Sequence, residues 1–528
     1  MYSQLTYYLI AIFSVCLFPE LTLCSSNSSL NLDLEFTSSG TGTQWTRPNE
    51  EYPDPEFADG SPSTSKVILS HGYDVEKHSI VTEDGYILAL FRIPSKGQPI
   101  LIQHGFGGTS DSWLIRNDTK QSLPFILSDA GYDVWLGNLR GNIYTTHHIN
   151  FFPNEAKFWD FSIHEHGSLD LPAMIELIRY ISNYDKLLYM GYSLGGGIPY
   201  VMAATRPEYN RYIKLNLLLA PFVFGPVAGV QSTFLRFFGF LVKLFIKFIR
   251  FISPATPFAF KSNMVIAFIH MFCKGRSVTH TVCKYFVNDI AGPDNVVNFN
   301  KLDSMILRII GGSSMKCFEH IYSIFRTHRF APFSEGSQEY DVTEMDIPTL
   351  IWYAKNDRLV DETGVKMLAQ KTPHLLRSNL IEYDQFSHLD FIILSDNHYN
   401  NFVNDVMSQL SLYDRDTSDS RDKTDAADET DKTDESDKTD ESDEIDEADK
   451  TDEADKTDEA DSTDESDETD EADKTDEADE TYEADETDET YEADETDEAD
   501  ETDEADETDE ADETDEADET DEAMKQMK

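Results

Sequence analysis

One pentapeptide constrains the fold of this chain more than any other feature, and it reads Gly191-Tyr192-Ser193-Leu194-Gly195. It follows the apolar run 187–190 and precedes the small-residue stretch 196–199. An apolar strand, a tight turn that carries a serine and a following helix form a nucleophile elbow, in which the serine Oγ stands exposed above a sheet edge. Because this turn crowds its neighbours, glycine is needed on both sides. Glycine-rich loops also produce the pattern, so its meaning depends on the rest of the chain.

Apolar runs alternate with helix-compatible segments such as 171–178. Before them, an Asp84-Gly85 turn between the runs 79–82 and 86–91 predicts a β-hairpin. Buried strands that alternate with helices predict an α/β fold with a mainly parallel sheet. The predicted strands are Pro99–Gln103, Tyr132–Leu136, Leu187–Met190, Leu215–Ala220 and Thr349–Ala354.

The alternation breaks at an insertion, residues 222–345, which follows a strand on the ligand-binding side of such a sheet. Its segment 233–252 is very apolar yet carries four cations at helical spacing, Arg236, Lys243, Lys247 and Arg250. A basic stripe on an apolar helix suits an interface between water and lipid. The alternative is a cap helix packed on its own domain, and four central cations argue against a membrane span.

Net charge divides the chain. Residues 414–528 hold 61 acidic and 10 basic side chains, a net of −51, which leaves −8 of the total −59 for residues 1–413. This segment repeats a unit of about six residues without an apolar face, so we expect an extended, disordered tail. Its carboxylates lack the turn glycines of a built Ca²⁺ site, so only weak cation binding is expected. Alternatively, the tail binds a basic partner or has a solubilising role without a ligand. We expect no nucleic-acid partner.

The N-terminus is typical of a secretory signal, predicted over residues 1–24. Its apolar stretch 7–18 is short for a membrane span, although a short anchor is the alternative. Residues 25–65 are polar and predicted to be flexible. Asn27 and Asn117 begin glycosylation motifs that matter only in the secretory route.

Three cysteines remain after the predicted signal. In an oxidising compartment the simplest arrangement is a Cys273–Cys283 bridge with Cys317 free, and three buried thiols are the alternative. The close histidine pairs, at 147–148 and at 164 and 166, have no surrounding ligand frame. We therefore expect no metal and no organic cofactor.

A serine hydroxyl needs a base and an acid that orients the base. Asp357 directly follows the last of the predicted strands, whereas Asp361 precedes a helix and is typical of a cap. His388 lies in the loop after the next apolar run, 380–383, and is favoured over His374 and His398 because of its place.

Acyl transfer also needs two donors for the developing oxyanion. One is the backbone N–H of Leu194, the residue after the serine. The other should come from the loop after the strand 99–103, where Phe106 is favoured and Gly107 is the alternative.

With these residues in place, the chain resembles the acid lipase family of gastric, lingual and lysosomal lipases over about residues 66–407. The resemblance implies an α/β-hydrolase fold with Ser193 as nucleophile, Asp357 as acid, His388 as base, and Phe106 and Leu194 as oxyanion donors. It also implies a cap at 222–345, in which Cys273 and Cys283 occupy the place of the family's disulfide. The motifs that carry it are Thr82–Leu88, Gln103-His104-Gly105, Trp135–Asn142, Phe158–Ser162, Asp170–Ala173, Asn356-Asp357 and His388–Phe391.

Three positions depart from the family pattern. Tyr192 and Leu194 stand where His and Gln are typical, and Leu139 stands where Ser is usual. The cysteine spacing is slightly long, and the acidic tail has no counterpart in the family. Because the Leu194 donor is a backbone N–H, catalysis is expected to survive these departures.

The sequence therefore predicts a lipase domain at 66–413 and a tail at 414–528. The expected activity is hydrolysis of water-insoluble esters, triacylglycerols or steryl esters, by a secreted or lysosomal enzyme that meets lipid through its cap. The alternatives are an inactive lipid carrier on the same fold and an esterase of smaller soluble esters.

Overall fold

The computed structural model describes residues 54–57, 60–115, 122–227, 255–258, 260–274, 278–291, 302–384, 386–393 and 399–413, with the short pieces 37–38, 44–45, 244, 247–248, 251 and 253. The predictions for the signal peptide, Asn27, Asn117 and the acidic tail lie outside these residues, as do Arg236, Lys243 and Arg250. Of the segment 25–65 that is predicted to be flexible, residues 37–38 and 44–45 form two short strands and 54–57 and 60–65 are also described.

Eleven strands of the described residues form one mixed sheet, in the order β1-β2-β3-β4-β6-β5-β8-β9-β12-β13, with β7 paired to β4. From β6 to β13 neighbouring strands are parallel, whereas β1 to β4 and β7 pair antiparallel. A separate pair, β10 and β11, lies in the insertion. The strands are β1 (Thr37–Ser38), β2 (Gln44–Trp45), β3 (Glu76–Val81), β4 (Tyr86–Ile93), β5 (Pro99–Gln103), β6 (Asp133–Gly137), β7 (His147–His148), β8 (Leu187–Tyr192), β9 (Ile213–Leu219), β10 (Pro257–Phe258), β11 (Ser313–Ser314), β12 (Thr349–Ala354) and β13 (Leu375–Ile381).

The described helices follow the strands as the sequence predicts for an α/β fold, and α4 and α5 both contact β8. They are α1 (Thr64–Ser70), α2 (Leu123–Asp129), α3 (Ile163–Glu165), α4 (Leu171–Ser182), α5 (Leu194–Thr205), α6 (Asn263–Cys273), α7 (Val278–Ala291), α8 (Leu302–Ile309), α9 (Met315–Thr327), α10 (Glu362–Lys371), α11 (Asp390–Ile393) and α12 (399–413). A π-helical segment, His166–Asp170, joins α3 to α4, and short 3-10 helices span Ser110–Leu114, Ala156–Trp159, Pro207–Tyr212 and Val342–Glu344.

The predicted hairpin is confirmed as β3 and β4. Its turn is closed by a hydrogen bond from the Gly85 N–H to the Thr82 carbonyl at 2.9 Å. Gly85 has a φ of +99°, which a residue with a side chain rarely adopts. A Cβ atom there would also lie 2.6 Å from Ile149. The Asp-Gly sequence therefore determines both the position and the geometry of this turn.

The core of the sheet consists of the apolar runs that the sequence identified. Every residue of β5, β6, β8 and β12 is buried, as expected for parallel strands covered on both faces. Because the connections return to the same side, the carboxyl ends of β5, β8 and β12 meet at one edge of the sheet. The loops that leave this edge carry the candidate catalytic residues.

The insertion contributes α6 to α9 and the small β10–β11 sheet. A disulfide between Cys273 and Cys283 joins α6 to α7, and Cys317 is a buried free thiol, so both cysteine predictions are confirmed. The segment before α1 contacts this insertion, since the Lys261 ammonium donates to the Ser61 hydroxyl at 2.9 Å. No helix within the described ranges is long and apolar enough to cross a membrane.

Candidate active site

Ser193 occupies a strained turn between β8 and α5. Its φ of 55° and ψ of −119° are rare for a residue with a side chain. The flanking glycines are required by close contact. A Cβ atom on Gly191 would lie 2.3 Å from the Gly195 carbonyl oxygen, and one on Gly195 would lie 2.6 Å from the Gln103 carbonyl oxygen. The pentapeptide thus has the backbone geometry of a nucleophile elbow, and each of its glycines is required by close contact with the backbone.

The backbone of Ser193 is anchored to the neighbouring strand and to the loop that follows it. Its N–H donates to the Leu219 carbonyl at 2.8 Å, and its carbonyl accepts from the N–H groups of Gly196 and Phe222, each at 2.9 Å. These bonds hold the strained turn, so the direction of the side chain does not depend on the presence of a substrate.

The structure brings the three predicted catalytic residues together from three separate loops. The Ser193 hydroxyl lies 2.9 Å from His388 Nε2, and His388 Nδ1 lies 2.6 Å from Asp357 Oδ2. His388 and Asp357 are almost fully buried, whereas Ser193 is partly exposed. With Nδ1–H donating to the carboxylate, Nε2 is left to accept the serine proton, which is the arrangement that acyl transfer requires.

Asp357 is held by the chain that follows it. Its Oδ1 accepts from the N–H groups of Leu359 and Val360, each at 2.8 Å, which leaves Oδ2 for His388. A buried carboxylate that accepts three hydrogen bonds keeps one orientation and is a fixed partner for an imidazole. The imidazole ring is therefore fixed in one plane before any substrate binds.

The alternative residues lie elsewhere. Asp361 is the N-cap of α10 and accepts from the Gly364 N–H at 2.8 Å, as the sequence predicts for a cap. His374 is exposed beside Asp346, before β13. His398 lies outside the described residues.

Tyr192, one of the departures from the family pattern, contacts His388 directly. Its hydroxyl donates to the backbone carbonyl of His388 at 2.9 Å, and the two ring centroids are 5.1 Å apart. Burial raises the pKa of Tyr192 well above its usual value, so the hydroxyl stays a neutral donor. Sequence reasoning marked Tyr192 as unusual but missed this contact, because the two residues are far apart in the chain.

The loop after β5 lies against the nucleophile. A Cβ atom on Gly105 would be 3.0 Å from the Ser193 Cβ, so the residue directly before Phe106 borders the serine. Among the hydrogen bonds of the described residues, the N–H groups of Phe106 and Leu194 donate to no other group. These two N–H groups, one on the residue after Ser193 and one in the loop that borders it, are of the kind that an oxyanion requires.

The insertion also contacts this loop. The Gly107 carbonyl accepts from the N–H of Gly311 at 2.7 Å and from that of Gly312 at 3.1 Å. The Phe106 ring stacks on Phe258 of β10 with centroids 5.3 Å apart. The insertion therefore borders the site, as the sequence predicts for a cap.

His147 and His148 lie in β7, and His166 Nδ1 lies 3.0 Å from Asp170 Oδ2. His148 accepts the Asn150 N–H through Nδ1 at 2.9 Å, and β7, which contains it, pairs with β4. Within the part of the chain that the structure describes, no group of His, Cys, Asp and Glu side chains is arranged to hold a metal ion.

Comparisons with known proteins match the fold and return relatives that are named lipases. The family described as a partial α/β-hydrolase lipase region matches residues 64–117, and the one described as the α/β hydrolase fold matches residues 98–213. The chain is 31% identical to Lipase 1 of Drosophila melanogaster over 352 residues, 63% of this chain and 76% of the relative. It is 32% identical to the gastric triacylglycerol lipase of Bos taurus over 63% of this chain and 87% of that protein. It is 34% identical to Lipase member N of Mus musculus over 62% of this chain and 86% of that protein.

Proposed function

The chain belongs to the acid lipase family and is a serine ester hydrolase of the lipase type, and from this premise we propose that it cleaves triacylglycerols or steryl esters through Ser193, His388 and Asp357. The observation that carries the proposal is the continuous contact from the Asp357 carboxylate through His388 to the Ser193 hydroxyl. The similarity of the chain to a gastric triacylglycerol lipase supports the choice of substrate.

In the proposed mechanism, Ser193 Oγ attacks the ester carbonyl while His388 Nε2 takes the hydroxyl proton. The carbonyl oxygen becomes an oxyanion that accepts from the N–H groups of Phe106 and Leu194. The imidazolium then protonates the leaving alcohol, and the C–O bond breaks to give an acyl-enzyme. Water attacks the acyl-enzyme with His388 again as base, which releases the fatty acid and restores the serine.

We propose that the enzyme contacts a lipid surface through its cap. Leu244, Phe248 and Phe251 are 56%, 53% and 86% exposed, and their spacing places them on one face of a helix. Lys247 is exposed beside them. Large apolar side chains next to a cation suit an interface between water and anionic lipid.

A substrate panel tests the activity. Purified protein should release fatty acid from emulsified trioleoylglycerol or cholesteryl oleate, and Ser193→Ala should release none. A serine-directed phosphonate should label the wild-type protein at Ser193 with one equivalent. Lack of labelling together with lipid binding would support the inactive carrier instead. Turnover restricted to short, soluble esters would support the small-substrate esterase.

A second test addresses the surface. The double variant Phe248→Ser/Phe251→Ser should hydrolyse a soluble butyrate ester at the wild-type rate and lose at least about tenfold on an emulsion, because two exposed apolar contacts are removed. Leu412→Ser, which changes another exposed apolar residue, is the matched control. Equal emulsion activity of both variants would contradict a role for this face.

We propose further that the enzyme is secreted or lysosomal. The support is the apolar N-terminal stretch and the disulfide between Cys273 and Cys283, which is typical of an oxidising compartment. Expression of the full chain in a eukaryotic cell should place the protein in the medium or in lysosomes, without residues 1–24. Recovery of unprocessed protein from the cytosol would contradict this localisation.

A further inference from the structure

The His104 side chain contacts the peptide that carries the proposed oxyanion donor. His104 Nδ1 lies 2.8 Å from the carbonyl oxygen of Gly105, the residue that follows it. The same carbonyl accepts from the Gly108 N–H at 3.2 Å. Two donors on one carbonyl restrain the rotation of the Gly105–Phe106 peptide plane, and the N–H of that plane belongs to Phe106.

The other ring nitrogen determines which tautomer is present. The Leu139 backbone N–H donates to His104 Nε2 at 3.2 Å, and Asn142 Nδ2 lies 3.3 Å from the same atom. Because Nε2 accepts, the proton must reside on Nδ1, which is then the donor to Gly105. The donors of Leu139 and Asn142 therefore favour the His104 tautomer in which Nε2 carries no hydrogen.

The ring is also kept neutral. His104 is 2% exposed, and burial, assisted by the nearby His166, lowers its pKa to about 4. A protonated ring would carry a hydrogen on Nε2 that points at the Leu139 N–H, so the two donors would repel each other. The neutral form with hydrogen on Nδ1 is the one that fits its surroundings.

A trans peptide orients its C=O and N–H in opposite directions, so a bond that fixes the Gly105 carbonyl also fixes the Phe106 N–H. We propose that His104 is a positioning residue that aims the Phe106 N–H at the oxyanion through the Gly105 carbonyl. The proposal rests on the proposed function of Ser193. His104 itself touches neither the substrate nor the reacting atoms.

Two substitutions separate the two ring nitrogens. In His104→Asn, the amide Nδ2 lies near the place of Nδ1 and can still donate to Gly105. In His104→Gln, the amide group reaches the place of Nε2, so it can accept from Leu139 but cannot donate to Gly105. The donor hypothesis therefore predicts that Asn retains activity and that Gln does not, although Gln is closer in size to histidine.

The measurement is kcat and KM on a soluble ester, which needs no lipid surface. Removing an oxyanion donor lowers kcat by about 10²–10³-fold, so a misaimed donor in His104→Gln should lower kcat by about 30- to 100-fold. KM should stay within about twofold, because the ground-state carbonyl gains little from the donor. His104→Asn should keep kcat within about fivefold of wild type.

A matched control removes the effects of folding. His320 is also buried, and its Nε2 contacts the Ala331 carbonyl at 2.7 Å. His320→Gln should destabilise the protein as much as His104→Gln, as measured by thermal unfolding, but should leave kcat unchanged. Equal losses of kcat in the Asn and Gln variants of His104, or full activity of His104→Gln, would overturn the positioning role.

Hydrogen–deuterium exchange gives a readout that does not need turnover. A peptide that covers residues 104–112 should exchange faster in His104→Gln than in wild type, and at the wild-type rate in His104→Asn. If the wild-type protein hydrolysed no ester, the proposed function would be wrong. The exchange rates would still show whether His104 holds the Gly105 carbonyl. An unchanged exchange rate in the Gln variant would contradict the inference that the His104–Gly105 hydrogen bond restrains this loop.

Discussion

Two sites in this protein contain the same three kinds of side chain: a carboxylate, a histidine and a nucleophilic group. In the first, Asp357 contacts His388 at 2.6 Å and His388 contacts the Ser193 hydroxyl at 2.9 Å. In the second, Asp170 contacts His166 at 3.0 Å, and His166 Nε2 lies 3.7 Å from the Cys317 sulfur. The difference between them shows what a triad needs beyond its residue types.

The acids differ in their other partners. The Oδ1 atom of Asp357 accepts hydrogen bonds from two backbone N–H groups. Among the described residues, no lysine or arginine lies within hydrogen-bond distance of this carboxylate. Asp170 is bound at 2.7 Å by the guanidinium of Arg140, which is itself fully buried. Burial by itself would raise the pKa of Asp170, but the Arg140 charge and the His166 hydrogen bond outweigh it and lower the pKa. The second carboxylate is therefore mainly a counter-ion.

The nucleophilic groups differ in access. Ser193 is partly exposed on a strained turn, whereas Cys317 is 0% exposed in α9. Burial raises the pKa of the Cys317 thiol to about 12, so the reactive thiolate is scarce near neutral pH. The site of Ser193 is suited to catalysis because its hydroxyl is accessible and its acid has no competing cation. The site of Cys317 has neither property and instead links α9 to the core.

The largest difference between the two sites should appear when the nucleophilic group of each is removed in turn. Ser193→Ala should lower kcat/KM on a soluble ester by about 10⁴–10⁶-fold, since nothing else in the site can form the acyl-enzyme. Cys317→Ala should stay within about threefold of wild type, since its thiol lies outside the proposed site. A large loss of activity in folded Cys317→Ala would break the distinction between the sites.

The two acids should separate activity from stability. Asp357→Asn should lower kcat by about 10³–10⁴-fold, because an amide favours the wrong histidine tautomer, while thermal unfolding changes little. Asp170→Asn should instead lower the free energy of unfolding by about 1–3 kcal/mol, because the buried Arg140 charge loses one carboxylate partner and keeps Asp84. Denaturant unfolding and kinetics of both variants check this, and a reversed pattern would contradict the assignment.

The stability contributed by Asp170 should depend on pH in a defined direction. Its pKa is lower in the folded than in the unfolded chain, so its contribution is complete above the ordinary carboxyl range and is lost as the pH falls through the folded value. The difference in unfolding free energy between wild type and Asp170→Asn should therefore shrink at about pH 3 relative to pH 7. A difference that grows on acidification would show that another group dominates.

Labelling should separate the two nucleophiles without any mutation. At pH 8 a thiol reagent should modify Cys317 in the native protein at least about 10³-fold more slowly than in the denatured protein, because the thiol is both buried and protonated. A phosphonate should modify Ser193 in the native protein only. Rapid native labelling of Cys317 would show that the second site is open to solvent.

The smallest effect is expected at Tyr192. Tyr192→Phe removes the hydrogen bond to the His388 carbonyl but keeps the ring, so kcat should fall by about two- to fivefold. Measuring kcat at several temperatures would show whether the loss grows as the His388 loop loosens. An unchanged kcat would mean that the other contacts of the loop suffice to hold the base.

Much of this arrangement could be predicted from the sequence. The β3–β4 hairpin and the buried strands of the parallel core were predicted within a few residues, since period, length and turn residues are local properties. The order of Ser193, Asp357 and His388 after successive strands also predicted their meeting at one edge. The Cys273–Cys283 bridge was predicted as the simplest pairing in an oxidising compartment, and the family resemblance implied the same pair.

What the sequence could not predict are contacts between distant residues. The hydrogen bond from Tyr192 to His388 spans 196 positions, and that between Cys317 and His166 spans 151. No local pattern records such separations. The same limit applies to the bonds from Gly311 and Gly312 to the Gly107 carbonyl, which join the insertion to the loop after β5.

The sequence by itself determined that Ser193 lies on an elbow, because the turn demands glycine at both flanks and an apolar strand before it. Chain order already favoured His388 as the partner of the serine, whereas only the tertiary structure decided that His166 contacts a buried thiol, since that depends on where each side chain lies in space and on how much water reaches it. Residue types determine what chemistry is available, whereas burial and neighbouring charge determine where it can be used.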